Sequence, residues 1–108
     1  MLDEMQKEAF TQSVNSEFQV IRDGSKAFDL KLTEVVDVFE SGRQQAFSVF
    51  FQGPLEHFIQ QGTYKLRHHE LGEFEIFLVP SAQTKDGFQY EAAFNRLSPE
   101  KKEFSIPG

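Results

Sequence analysis

The 108-residue chain contains no cysteine and no tryptophan. Without cysteine there is no disulfide framework, no thiolate nucleophile and no Cys-type zinc site, and a reduced, cytoplasmic compartment is the default. Basic residues are scarce: eleven Lys and Arg against seventeen Asp and Glu leave a net charge of −6. That balance repels phosphate backbones, so nucleic acid is not an expected partner. No apolar run approaches the roughly 18 residues a membrane span requires, and the opening MLDEMQKEAF is acidic and lacks an apolar signal core. The seven glycines are solitary and none precedes a long helical pattern, which leaves no phosphate-cradling loop, dinucleotide fingerprint or nucleophile elbow. No catalytic, cofactor-binding or metal-binding residues are assigned, and the chain is not expected to be an enzyme. With one core's worth of residues, it reads as a single domain.

Phenylalanine, in contrast, is abundant, with thirteen copies. Aromatic residues favour strands, and their spacing agrees. Phe18 and Val20, then Phe28, Leu30 and Leu32, alternate with polar Gln19, Asp29 and Lys31, the period of two of a half-buried strand. The same pattern recurs at Phe47, Val49 and Phe51; at Tyr64, Leu66 and His68; at Phe74, Ile76 and Leu78; and at Phe88, Tyr90, Ala92 and Phe94. Asp23-Gly24 signals a hairpin, and Ser41-Gly42, Gly53-Pro54, Gly62, Leu71-Gly72 and the stretch 80–87 separate the remaining segments. The expected fold is mainly β, with six to seven antiparallel strands in a meander that forms a small sandwich or a partly closed barrel. A helical segment is expected over residues 1–13, where Leu2, Met5, Ala9 and Phe10 recur at roughly helical spacing. The β core then spans 17–96, and 97–108 form a tail. Leu55, Phe58 and Ile59 suggest a second helical turn, and Ser98-Pro99-Glu100 could cap a third.

Ile21, Val35, Phe39, Phe50, Phe77 and Val79 fall in the opposite phase to the main alternation. Both faces of the third and fifth strands therefore carry large apolar groups. Either the N-terminal helix or a second sheet covers the extra face, or Ile21, Phe50, Phe77 and Val79 mark a surface for a protein partner or for self-association.

The strings FSVFFQGP at 47–54, QGTYKLRHHELGEFEIFLVP at 61–80 and YEAAFNR at 90–96 resemble a family of small bacterial domains of unassigned function. The matching pattern is an aromatic-Ser strand end closing on Gly-Pro, then Gln-Gly-Thr-Tyr, a His before a Leu-Gly turn, Phe-Leu-Val-Pro, and a final Tyr-x-Ala-x-Phe-Asn strand. It covers roughly residues 10–96. The resemblance implies a compact β-domain, commonly encoded near phage-tail or tail-collar-like proteins, without a known catalytic residue. His69 stands where the family usually has Pro, and residues 97–108 run past its ordinary end.

The densest ionisable cluster is His68, His69 and Glu70, with His57 upstream. Two imidazoles and a carboxylate can hold non-haem iron, but adjacent strand residues point to opposite faces. An imidazole bonded to the backbone of its own turn is the simpler reading. Glu73 and Glu75, together with Glu34, Asp37 and Glu40, alternate with apolar residues and read as a solvated strand face rather than an acid pair. The alternative to an interaction domain is a Phe-lined barrel holding a small apolar ligand.

Overall fold

The computed structural model describes residues 7–40 and 44–97. Its elements are α1 (Lys7–Gln12), β1 (Glu17–Arg22), β2 (Ser25–Glu40), β3 (Gln44–Gly53), β4 (Gly62–His68), β5 (Gly72–Thr84) and β6 (Gly87–Leu97). All six strands pair antiparallel in one sheet that closes on itself in the order β1-β2-β3-β6-β5-β4. A single ring-like sheet settles the choice between sandwich and barrel in favour of the second. The β1–β2 hairpin turns at Asp23 and Gly24, both with positive φ. This is the backbone that gives Asp-Gly its preference for two-residue hairpins.

The expected meander breaks after β3. Residues 54–61 form no helix, contrary to the spacing of Leu55, Phe58 and Ile59. Pro54 cannot extend the ladder, and the connection instead crosses the end of the ring and drops Ile59 into the interior, where it is 2% exposed. The Ile59 N–H donates to the Tyr90 hydroxyl at 3.1 Å, fixing this plug. Because the chain has crossed over, β4 emerges beside β1 rather than beside β3.

The opposite end is closed by α1. Its buried residue, Phe10, meets Phe74 edge-on at 6.3 Å and Phe94 at 5.5 Å. The chain leaving α1 joins β2 through Asn15 N–H to Leu32 O and Leu32 N–H to Ser16 O. Of the helical segment expected over 1–13, residues 7–12 are helical; Leu2 and Met5, like Ser98-Pro99-Glu100, lie outside the described residues.

Strand lengths give the ring an unequal shape. Beyond Leu32, β2 pairs with β3 alone, and beyond Glu91 so does β6. A three-stranded β2-β3-β6 arm thus extends past the closed part, consistent with overall dimensions of 53 × 29 × 24 Å. Its inner face carries Val35, Phe47, Val49, Ala92 and Phe94, on the side where α1 sits. Lys7 of α1 reaches Asp37 of the arm at 2.7 Å.

The expected core is observed with few changes. Phe18, Phe28, Leu30, Leu32, Phe47, Val49, Phe51, Leu66, Phe74, Ile76, Leu78 and Tyr90 are buried. Tyr64 and Phe94 are half-buried, at the edge of the same cluster. One of the opposite-phase residues proves to belong to the interior because its own strand carries a bulge. A register shift at Leu32/Glu34 turns Val35 inward opposite Val49, whereas Ile21, although only 9% exposed, keeps the outward phase of β1 beside Lys26 and Lys65. A bulge inserts one residue and so inverts the alternation downstream, which a strict period of two cannot anticipate.

Candidate interaction surface

The registers place Phe50 and Val79 in one row. Phe50 of β3 lies opposite Glu91 of β6, and Glu91 lies opposite Val79 of β5. On its other side Phe50 pairs with Glu34 of β2. All four side chains point away from the interior, since their neighbours Val49, Phe51, Leu78 and Tyr90 point into it. Phe77, two residues before Val79 on the same face, is 50% exposed, while Phe50 and Val79 are half-buried. The next row along the arm joins Val36, Ser48 and Ala93, and Val38, at a second register shift, is 63% exposed. Three of the four residues singled out from the sequence therefore share one flank. Ile21 does not: it lies between Lys26 and Lys65 on the other side of the ring. Phe39 stands opposite Ala46 near the end of the arm.

This flank differs from the rest of the outer surface in charge. Outward positions on β3 and β6 are Ala46, Ser48, Phe50, Gln52, Gln89, Glu91, Ala93 and Asn95, a nearly uncharged set. Glu91 is held in place by the Ser48 hydroxyl, which donates to its carboxylate at 2.6 Å. Across the ring, β4 and β5 present Lys65, Arg67 and Glu73. Arg67 bonds Glu73 at 2.6 Å and Lys65 approaches it at 4.0 Å. Glu73 thus belongs to an exposed ion-pair group, and Glu75 lies opposite Lys65 on the same face. Neither is set up as half of a catalytic acid pair.

Alpha-1 does not cover the apolar flank. It sits on the inner side of the same arm through Phe10, so the arm is apolar on both faces and only one is occupied by the helix. Past Phe50, the flank ends in a shallow groove of about 300 Å³ lined by Thr33, Gln52, Thr84, Asp86, Phe88 and Gln89.

The histidines are not gathered. His57 stacks on Phe28 at 4.9 Å in the connection at one end of the ring, whereas His68 closes β4 at the other. His68 is 2% exposed and rests on Phe18 with ring centroids 4.3 Å apart. Its Nδ1 accepts the backbone N–H groups of Glu70 and Leu71 at 3.1 and 3.2 Å. Nδ1 is therefore unprotonated, and the proton on Nε2 is donated to Ser16 Oγ at 2.9 Å. The Ser16 hydroxyl in turn donates to Ser13 O at 2.5 Å. Both ring nitrogens are engaged in fastening the β4–β5 turn to the start of β1. Burial pushes the His68 pKa below its ordinary value, and His69 beside it acts in the same direction, against a smaller opposing effect of Glu70. His69 and Glu70 are exposed in the turn, 3.8 Å apart. Among the described residues no three His, Asp or Glu side chains form a metal-binding group.

A closed six-stranded ring plugged at both ends, with its one buried imidazole used structurally and a partly exposed apolar flank on which Ser48 is buried, is the architecture of a small all-β module. The chain belongs to a family described as Domain of unknown function (DUF6916), whose model matches residues 5–94. No curated protein and no solved structure matches it.

Proposed function

We propose that the domain is a non-catalytic structural or protein-interaction module whose working surface is the β2-β3-β6 flank bordered by Phe77 and Val79. The observation that carries this reading is the two-faced arm. Its inner face is covered by α1, whereas Phe50, Val36 and Val38 face outward beside Phe77. Exposed apolar surface has a cost in water, and contiguous patches on small proteins commonly mark contact sites. Aromatic side chains are also enriched at interface centres.

The resemblance to bacterial domains encoded near phage-tail or tail-collar-like proteins makes a tail-assembly protein of that type, in the cytoplasm, the first partner to test. The ligand-barrel alternative has less support. Phe10, Phe18, Phe51, Ile59, Leu66 and Tyr90 occupy the ring interior themselves, with Phe10 and Ile59 closing its two ends.

The test compares Phe50→Ser and Phe77→Ser with the parent by circular dichroism, light scattering and pull-down from the native host. Variants that remain folded but lose captured partners or self-association support the reading. Folded variants with unchanged mass and an identical set of partners refute it.

A further inference from the structure

Resting on the reading of this flank as an interaction surface, we propose that its occupant is a cationic strand-like segment of a partner protein, one whose flank-facing side carries Lys or Arg beside apolar residues. The charge pattern supports this choice. Glu34 and Glu91 flank Phe50 on both sides in a single cross-strand row, and Asp86 lines the groove at the end of the flank. Among the described residues, none of the three carboxylates has an ion-pair partner, in contrast to Glu73, which draws in both Arg67 and Lys65. No Lys occupies an outward position of β3 or β6.

A second copy of the chain is a poorer match. A two-fold contact through this face would set Glu34 and Glu91 against their own images, and each copy already carries a charge of −6. Like charges facing each other across an interface oppose association. A segment that carries apolar and basic residues on the same face matches both features. In extended conformation its alternate side chains are about 7 Å apart on one face, on the scale of the spacing between outward positions along β3. Apolar groups can then meet Phe50, Val36 and Val79 while cations approach the carboxylates.

The probe is a synthetic peptide of Lys-Ser-Val-Ser repeats, which puts Lys and Val on one face when extended, with the corresponding Glu/Val peptide as control, measured by fluorescence anisotropy at low and moderate salt. The critical comparison uses two double variants with the same change in net charge. Glu34→Gln with Glu91→Gln alters the flank, and Glu56→Gln with Glu70→Gln alters exposed acids outside it. The flank variant should weaken Lys/Val binding about tenfold, the sum of two modest surface charge contacts. The control variant should leave it within about twofold, and added salt should weaken it. Equal losses in the two variants would mean general attraction to an acidic protein and would overturn the proposal, as would no binding or equal binding of the Glu/Val peptide. The underlying reading is scored separately: if Phe50→Ser abolishes capture of a host partner that the Lys/Val peptide cannot displace, the flank is an interface and its cationic occupant is the part that fails.

Discussion

Replacing Phe10 with Ala tests whether α1 is part of the fold or an appendage to it. Phe10 is fully buried and is the residue through which α1 enters the interior, between Phe74 and Phe94. Truncating a buried Phe to Ala costs about 3–5 kcal/mol, through lost transfer energy and the cavity left behind. In a domain of about 100 residues each kcal/mol lowers Tm by roughly 4–8 °C, so even the low end corresponds to about 12 °C. The upper end approaches the whole stability of a small domain, which starts at about 5 kcal/mol. The site cannot readily collapse, because the surrounding rings sit on two strands, β5 and β6, that do not pair with each other at this level. Calorimetry and urea titration followed by circular dichroism read the loss. Hydrogen exchange adds a second criterion: α1 and the inner face of the arm should lose protection together. A Tm within 2 °C of the parent, with protection lost only in residues 7–12, would show that the ring stands without its plug and would refute this account of the closed end.

The opposite plug should behave alike, with Ile59→Ala costing about 2–5 kcal/mol in urea titration while retaining the backbone bond to Tyr90. Gly87→Ala should be more damaging than Gly53→Ala, because a Cβ at Gly87 would overlap the fixed carbonyl of Gly53, whereas one at Gly53 meets the movable tip of Leu30 at 2.8 Å; equal losses would contradict the model of that corner. His68 should make stability depend on pH with a definite sign. Its folded pKa is lowered, so the unfolded chain binds the proton more readily, and stability is complete above the unfolded value near 6.5 and declines as pH falls through and below it. Thermal melts from pH 7.5 to 5 should show that decline, and it should be reduced in His68→Gln; an unchanged slope in the variant would assign it to other groups.

Strand existence was legible because thirteen Phe and their aliphatic neighbours recur with a period of two, and a ring buries one side of every strand. Connectivity was not. Leu55, Phe58 and Ile59 have helical spacing, yet Ile59 is buried as the plug of an irregular crossing and Phe58 lies against Phe88 outside it. Local spacing carries no information about whether the next strand returns beside the last one or across the ring, and that choice puts β4 next to β1.

The same limit explains what the sequence disclosed about the surface. Val35 looks equivalent to Phe50 and Val79 as a residue out of phase, but the bulge at Leu32/Glu34, where β2 carries the extra residue Thr33, returns it to the core. Strand β6 keeps an unbroken register with β3 from Gly53↔Phe88 to Gln44↔Leu97, so Phe50 remains out of phase and faces outward. An apolar residue in the wrong phase can therefore be placed only when it is known whether its own strand carries an inserted residue before it: Val35 follows one and turns inward, whereas none precedes Phe50 in β3 or Val79 in β5. The charge around Phe50 becomes readable at the same point. Glu34 and Glu91 are 57 positions apart in the chain, and only the β2-β3-β6 order brings them to either side of one aromatic ring.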